Sequence, residues 1–177
     1  MTEREFKGLI SSDTYANLYG ETDWDKKILQ VNFYFSNDSV RNKNIQIRIR
    51  CKNKEYYLQL KVKIDQSNGF RVSEEYKIPM SSIPQHIPQS LLQQAWESYA
   101  YGDVYLQGFL VTDRCVKHID EVDLMLDRNS YNGTIDYEVE MECSSEDGAT
   151  QLIDKLNLAG KLETAPGKYE RFYNTMK

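Results

Sequence analysis

The sequence predicts an α+β fold whose strands run antiparallel. Three observations carry this reading. Thirteen tyrosines stand beside nine glycines and four prolines in 177 residues, a composition that suits strands. Apolar and polar residues alternate with period two over about 3–10, 30–36, 45–51, 56–64, 71–78, 105–118, 121–128 and 134–142, as half-buried strands require. Asn68-Gly69 and Asn132-Gly133 each fall between two of these segments, where a two-residue hairpin turn is expected.

Between the strands the spacing becomes helical. Residues 13–19 place Tyr15, Leu18 and Tyr19 at i, i+3 and i+4. From Pro88 to Tyr99, one face carries Leu91, Leu92, Ala95, Trp96 and Tyr99. Ser144 or Ser145 can cap a helix with the stripe Ala149, Leu152, Ile153 and Leu156, which Gly160 can end. A short C-terminal helix is expected from near Pro166. With no repeat or linker, residues 1–177 read as one domain.

Composition excludes several classes. At 40% hydrophobic and 28% charged residues the chain matches a globular average. No apolar run reaches the ~18 residues of a membrane span. Met1-Thr2-Glu3-Arg4-Glu5 is charged from the start, which predicts no signal peptide. Cys51, Cys115 and Cys143 are odd in number and form no CxxC pair, as expected of reduced thiols in the cytoplasm. The net charge of −5 argues against a nucleic-acid partner, and nothing separates a monomer from a homodimer. His86 and His118 lack metal-ligand spacing and read as structural or surface residues. There is no Ser-His-Asp set, P-loop or dinucleotide fingerprint.

Charge is segregated by strand face. Ile45, Ile47 and Ile49 alternate with Gln46, Arg48 and Arg50, and Leu58, Leu60 and Val62 with Gln59, Lys61 and Lys63. Glu138, Glu140 and Glu142 oppose Tyr137, Val139 and Met141, while Glu3, Glu5 and Lys7 share one face of the first strand. An antiparallel sheet can simply turn such a face to water. Solvated faces usually mix signs, however, and like charges about 6.5–7 Å apart along a strand gain nothing without a counter-ligand. Acidic runs beside basic runs suit a polyphosphate bridged by divalent metal, with oxygen ligands for Mg²⁺ or Mn²⁺ and Lys or Arg for phosphate. Glu142 continues the acidic face at a strand end, where solvent is the expected neighbour.

Glu3-Arg4-Glu5-Phe6-Lys7 resembles the ExExK signature of the CYTH superfamily, the triphosphate tunnel metalloenzymes. It is followed in order by Asn32-Phe33-Tyr34-Phe35, Ile47-Arg48-Ile49-Arg50, Tyr57-Leu58-Gln59-Leu60-Lys61, Glu75-Tyr76, Arg114, Leu126-Asp127 and Asp136-Tyr137-Glu138-Val139-Glu140. The likeness spans about residues 3–160 and is nearest the small bacterial adenylate-cyclase-like or triphosphatase-like branch. It implies an eight-stranded antiparallel barrel whose charged interior forms a tunnel, with helices packed on the outside. It implies that Glu3, Glu5, Glu138 and Glu140 hold Mg²⁺ or Mn²⁺, with Asp127 as a further acidic position. Lys7, Arg48, Arg50, Lys61 and Arg114 would grip the triphosphate, with Lys63 on the same face. A second metal, or one of Glu3, Glu5 and Glu75, would position or deprotonate the attacking water. The activity so implied is hydrolysis of inorganic triphosphate or of a nucleoside or organic triphosphate. The alternatives are a class IV-like adenylate cyclase and a non-catalytic polyphosphate-binding module.

Three positions depart from the family pattern: Lys77 for a second acid after Glu75, Thr112 for a common lysine, and Ser36 for an aspartate. Cys51 and Cys115 fall on the parity outside the tunnel. Lys168 and Arg171 on the C-terminal helix could close one mouth, although solvent is the simpler expectation for them.

Overall fold

The computed structural model describes residues 2–41, 43–67 and 70–176. In chain order the elements are β1 (Thr2–Ile10), α1 (Ser12–Glu21), β2 (Lys26–Ser36), α2 (Asp38–Arg41), β3 (Ile45–Lys52), β4 (Glu55–Ser67), β5 (Phe70–Met80), β6 (His86–Ile87), α3 (Gln89–Ala95), β7 (Val104–Ile119), β8 (Val122–Tyr131), β9 (Thr134–Glu142), α4 (Glu146–Lys155) and α5 (Lys168–Asn174). The strands lie in the order β2-β3-β4-β5-β1-β9-β8-β7, and β2 pairs with β7 to close an eight-stranded antiparallel barrel. Closure leaves no long open edge among these strands. The two residues of β6 add a short pairing against Val104 and Tyr105.

The apolar faces of the strands point out of the barrel and are covered by helices. Ile47, Ile49, Leu58 and Leu60 are fully buried and cluster with Val40 of α2, Leu92 of α3 and Tyr99. On the other side Leu124, Leu126, Val139 and Met141 pack with Leu18 of α1 and with Ala149 and Leu152 of α4. Each such aliphatic side chain contributes about 1.5–3 kcal/mol by leaving water. Stability is therefore built on the barrel's outer wall.

Local chemistry explains most boundaries. The Ser11 hydroxyl accepts the Thr14 N–H at 3.1 Å to start α1, and Ser145 caps α4. Asn132 and Gly133 both have positive φ, 45° and 76°, the type I′ geometry that carries β8 directly into β9. The expected turn at Asn68-Gly69 lies outside the described residues. Three details differ from expectation. Helix α3 stops at Ala95 because Trp96 is extended and stacks on Tyr76 at 5.5 Å. Helix α4 ends at Lys155 instead of near Gly160, with Asn157 in the left-handed region at φ 51°. The single turn α2, whose Val40 N–H bonds Asn37 Oδ1 at 2.8 Å, is too short for any periodicity to reveal.

Helix α5 has a different place. Its Phe172 is fully buried against Tyr34, Leu110 and Tyr131, which share strand parity with the charged interior, so the helix sits at one end of the barrel. Gly108 makes this approach possible: a Cβ there would lie 2.8 Å from Phe172 Cζ. Among the described residues no helix is long and apolar enough to cross a membrane.

Candidate active site

Strand register gathers the charged side chains inside the barrel. Between β1 and β9, Lys7 stands opposite Glu140 and Glu5 opposite Glu142. Between β8 and β9, Asp127 faces Glu138, and between β7 and β8, Arg114 faces Asp127. Lys61 of β4 faces Gln46 on one side and Glu75 on the other. Glu3, Glu5, Lys7, Arg48, Arg50, Lys61, Lys63, Arg114, Glu140 and Glu142 line one cavity. It matches the charged tunnel that the family resemblance implies.

The acidic side is a buried trio. Asp127, Glu138 and Glu140 each offer an oxygen within 4.8 Å of the others, and they are 0%, 1% and 5% exposed. Arg114 forks onto Asp127 at 2.8 and 2.6 Å and also reaches Glu140. Burial pushes the Glu140 carboxyl up, but Lys168, Lys7 and Arg114 outweigh it and hold the group well below the usual range. Glu138 moves the other way: burial raises it, and ionised Glu140 adds to the rise. Glu3 and Glu5 stand apart from the trio. Lys61 bonds both, at 3.0 Å from Glu5, and Lys7 lies 2.6 Å from Glu5 and 3.3 Å from Glu140. Burial opposes ionisation of Glu5, yet Lys7 and Lys61 bring its carboxyl down to about 2.

The basic wall is less compensated. Arg48 donates to Gln59 at 2.8 Å and to Glu75 at 3.0 Å. Arg50 donates only to the neutral Asn32 Oδ1, at 2.9 Å, and among the described residues it forms no ion pair. Burial, with Arg48 and Arg114 nearby, lowers its guanidinium to about 10. The fully buried Asn32 Nδ2 also lacks an acceptor among the described residues. A half-buried cation and a buried N–H donor side by side, both short of acceptors among the described residues, are the chemistry of an anion site.

Arg71 escapes sequence reasoning, and Lys168, Arg171 and Glu142 are less exposed than the sequence suggests. Lys168 and Arg171 do not face solvent. Lys168 Nζ lies 2.8, 2.9 and 2.6 Å from Asp127, Glu138 and Glu140, and Arg171 bonds Asp136 and Glu138 at 2.9 and 2.5 Å. Their i, i+3 spacing is visible in the sequence, but the placement of α5 is tertiary. Arg71, 8% exposed, lines the cavity and donates to Ala165 O; its parity with Glu75 on β5 is the signal that finds it. Glu142, expected in solvent, lines the cavity too. Burial and the neighbouring Glu3 and Glu140 push its carboxyl up to about 7, because barrel closure sets β1 beside that strand end.

With this geometry in view, the comparisons are specific. The CYTH domain profile matches residues 1–173. A Bacillus subtilis protein named "Putative triphosphatase YjbK" is 27% identical over 161 residues, covering 87% of this chain and 84% of that protein. A crystal structure of a "putative adenylate cyclase" from Bacillus halodurans is 24% identical with a TM-score of 0.74, covering 96% of each chain. A Hippeastrum protein, described as a "putative adenylyl cyclase" with a dominant triphosphatase activity, is 20% identical with a TM-score of 0.78, covering 97% of this chain and 95% of its own. The two solved structures share the fold, and the profile spans nearly the whole sequence: the chain belongs to the CYTH domain family.

Proposed function

We propose that this protein is a triphosphatase that uses Mg²⁺ or Mn²⁺ to hydrolyse inorganic triphosphate, or a nucleoside or organic triphosphate, inside the barrel. The observation that carries the reading is a buried carboxylate trio that reaches the cavity through Glu140, opposite a basic wall in which Arg50 has no carboxylate partner among the described residues. The family implies a divalent cation, and the donor set fits one: three buried carboxylates with one oxygen each within 4.8 Å, a hard oxygen set. When bound, such a cation neutralises phosphate charge and orients the reacting groups.

The chain's own residues supply the rest. Arg48 and Arg50, braced by Gln59 and Asn32, present guanidinium N–H groups to phosphate oxygens, where charge-assisted bonds are strongest. Lys7, Lys61 and Arg114 complete the cradle, and Lys63 extends it along the same strand. Charge that grows on the transferring and leaving oxygens meets donors already in place. Glu5, with Glu3 or Glu75, accepts the two O–H groups of the attacking water. With its carboxyl near 2, Glu5 orients this water as an ionised acceptor and does not retain its proton.

The names of the Bacillus subtilis and Hippeastrum relatives support hydrolysis, and one assay panel tests it. Phosphate and cyclic AMP are measured with inorganic triphosphate, ATP and thiamine triphosphate, in Mg²⁺, Mn²⁺ or excess chelator. Phosphate release that chelator abolishes is the expected result. Cyclic AMP as the product from ATP, or full activity in chelator, refutes the reading.

A further inference from the structure

Each trio carboxylate is held by an arginine and by Lys168. Arg114 Nε holds Asp127 Oδ1 at 2.8 Å, Arg114 Nη2 holds Glu140 Oε2, and Arg171 Nη2 holds Glu138 Oε2 at 2.5 Å. Asp127 Oδ2, Glu138 Oε1 and Glu140 Oε1 share a single ammonium, Lys168 Nζ, at 2.8, 2.9 and 2.6 Å; Arg114 Nη2 also reaches Asp127 Oδ2 at 2.6 Å, and Lys7 Nζ lies 3.3 Å from Glu140 Oε1. Among the described residues Lys168 is the one cation bonded to all three carboxylates.

We propose that the Lys168 ammonium is the resident cation of this trio in the free protein, and that a divalent ion enters by exchanging with it. The inference rests on the metal-dependent reading above and names the ion's intramolecular competitor. The geometry is exclusive. Mg²⁺ lies about 2.0–2.1 Å from its carboxylate oxygens, so an ion on these three oxygens would overlap a nitrogen already within hydrogen-bond distance of each.

The exchange needs only a side chain to move. Helix α5 is pinned independently by Phe172, fully buried and 5.1 Å from the Tyr34 ring centroid, and by Arg171 on Asp136 at 2.9 Å. Lys168 stands at the first position of the helix, on a flexible four-carbon stem that can swing its charge away. Arg114 on Asp127 Oδ1 and Glu140 Oε2, and Arg171 on Glu138 Oε2, keep the carboxylates aimed inward, and the bond from Arg114 Nη2 to Asp127 Oδ2 leaves that oxygen a second lone pair for the ion.

The test is Mn²⁺ binding to the full chain without any phosphate, read from the electron paramagnetic resonance of the free ion. Lys168→Met is expected to bind Mn²⁺ roughly tenfold more tightly than wild type, within the usual range of couplings between two ligands. Lys168→Arg, which keeps the charge, is expected to bind no more tightly than wild type. Equal or weaker binding by Lys168→Met overturns the exchange while leaving the metal reading intact, whereas no Mn²⁺ binding by any of the proteins overturns both. Should Lys168→Met fail to fold, the wild-type protein provides a second readout through reductive methylation followed by mass spectrometry. Lys168 has 9% side-chain exposure against 63% for Lys155. Saturating Mn²⁺ is expected to raise its methylation severalfold relative to Lys155. An unchanged rate at saturation refutes the exchange.

Discussion

Replacing Arg50 and Arg114 in turn by methionine separates ligand binding from stability. Both guanidiniums face the cavity, so each loss should remove charge-assisted bonds of roughly 1.5–3 kcal/mol from the bound phosphate. At about 1.4 kcal/mol per factor of ten, kcat/KM should fall about tenfold to a hundredfold in either variant. Their stabilities should diverge. Arg114 bonds Asp127 at 2.8 and 2.6 Å as well as Glu140, and stripping one partner from a buried pair costs about 3–5 kcal/mol. Among the described residues Arg50 has only Asn32. Its drop from 12.5 to about 10 puts the cost of its half-buried charge at no more than about 3 kcal/mol, and solvent screening lowers that, against about 1 kcal/mol for the hydrogen bond lost. Arg50→Met should therefore unfold in urea at the wild-type midpoint or above it, and Arg114→Met well below. Phosphate release in Mg²⁺ and urea unfolding in chelator measure the two effects. If Arg50→Met is as unstable as Arg114→Met, or keeps wild-type kcat/KM, the account of an uncompensated anion-facing guanidinium is wrong.

Three further outcomes are expected. Triphosphate with Mg²⁺ should raise the melting temperature by several degrees, since a ligand at 100 times its Kd adds about 2.7 kcal/mol; an unchanged melting curve at millimolar ligand counts against the site. Glu142 rises from 4.5 to about 7 on folding, so the folded state holds its proton more tightly and stability falls as pH climbs through that window. In chelator, Glu142→Gln should gain roughly 1–3 kcal/mol over wild type at pH 8 relative to the difference at pH 4; an equal difference at both would contradict this. Ile49→Ala, on the outer wall and fully buried, should lose about 2–5 kcal/mol with kcat/KM near wild type below its melting range, as urea unfolding and phosphate release will show.

What was legible in the sequence was parity. The alternation of Ile45, Ile47 and Ile49 with Gln46, Arg48 and Arg50 separates the two faces of β3, and the same alternation on β1, β4 and β9 identifies the residues that meet inside. Parity does not say which face closes inward; that came from the ordered family motifs. It also misses what depends on closure or on distant segments. Glu142 sits at a strand end in sequence but beside β1 in the barrel. Lys168 lies on a short helix whose placement is set by Phe172 and by the missing side chain of Gly108. Nor does spacing along strands say where Lys7 and Lys61 come to rest among the carboxylates.

The two parities of these strands have opposite energetics, and that division explains how such a charged interior persists. Outside, aliphatic burial supplies the folding free energy. Inside, Asp127, Glu138 and Glu140 recover their desolvation only through Arg114, Lys168, Arg171 and Lys7, and buried pairs of this kind are close to neutral for stability. A tunnel whose charges cancel can exchange one cation for another, or admit an anion beside an uncompensated guanidinium, without drawing on the energy that holds the barrel closed. The outer wall still governs the site through register. A slip of one residue in β3 would turn Arg48 and Arg50 into the cluster of Ile47, Leu58 and Leu92 and carry the isoleucines into the tunnel. The apolar contacts that prevent that slip are therefore what hold the guanidiniums where phosphate would meet them.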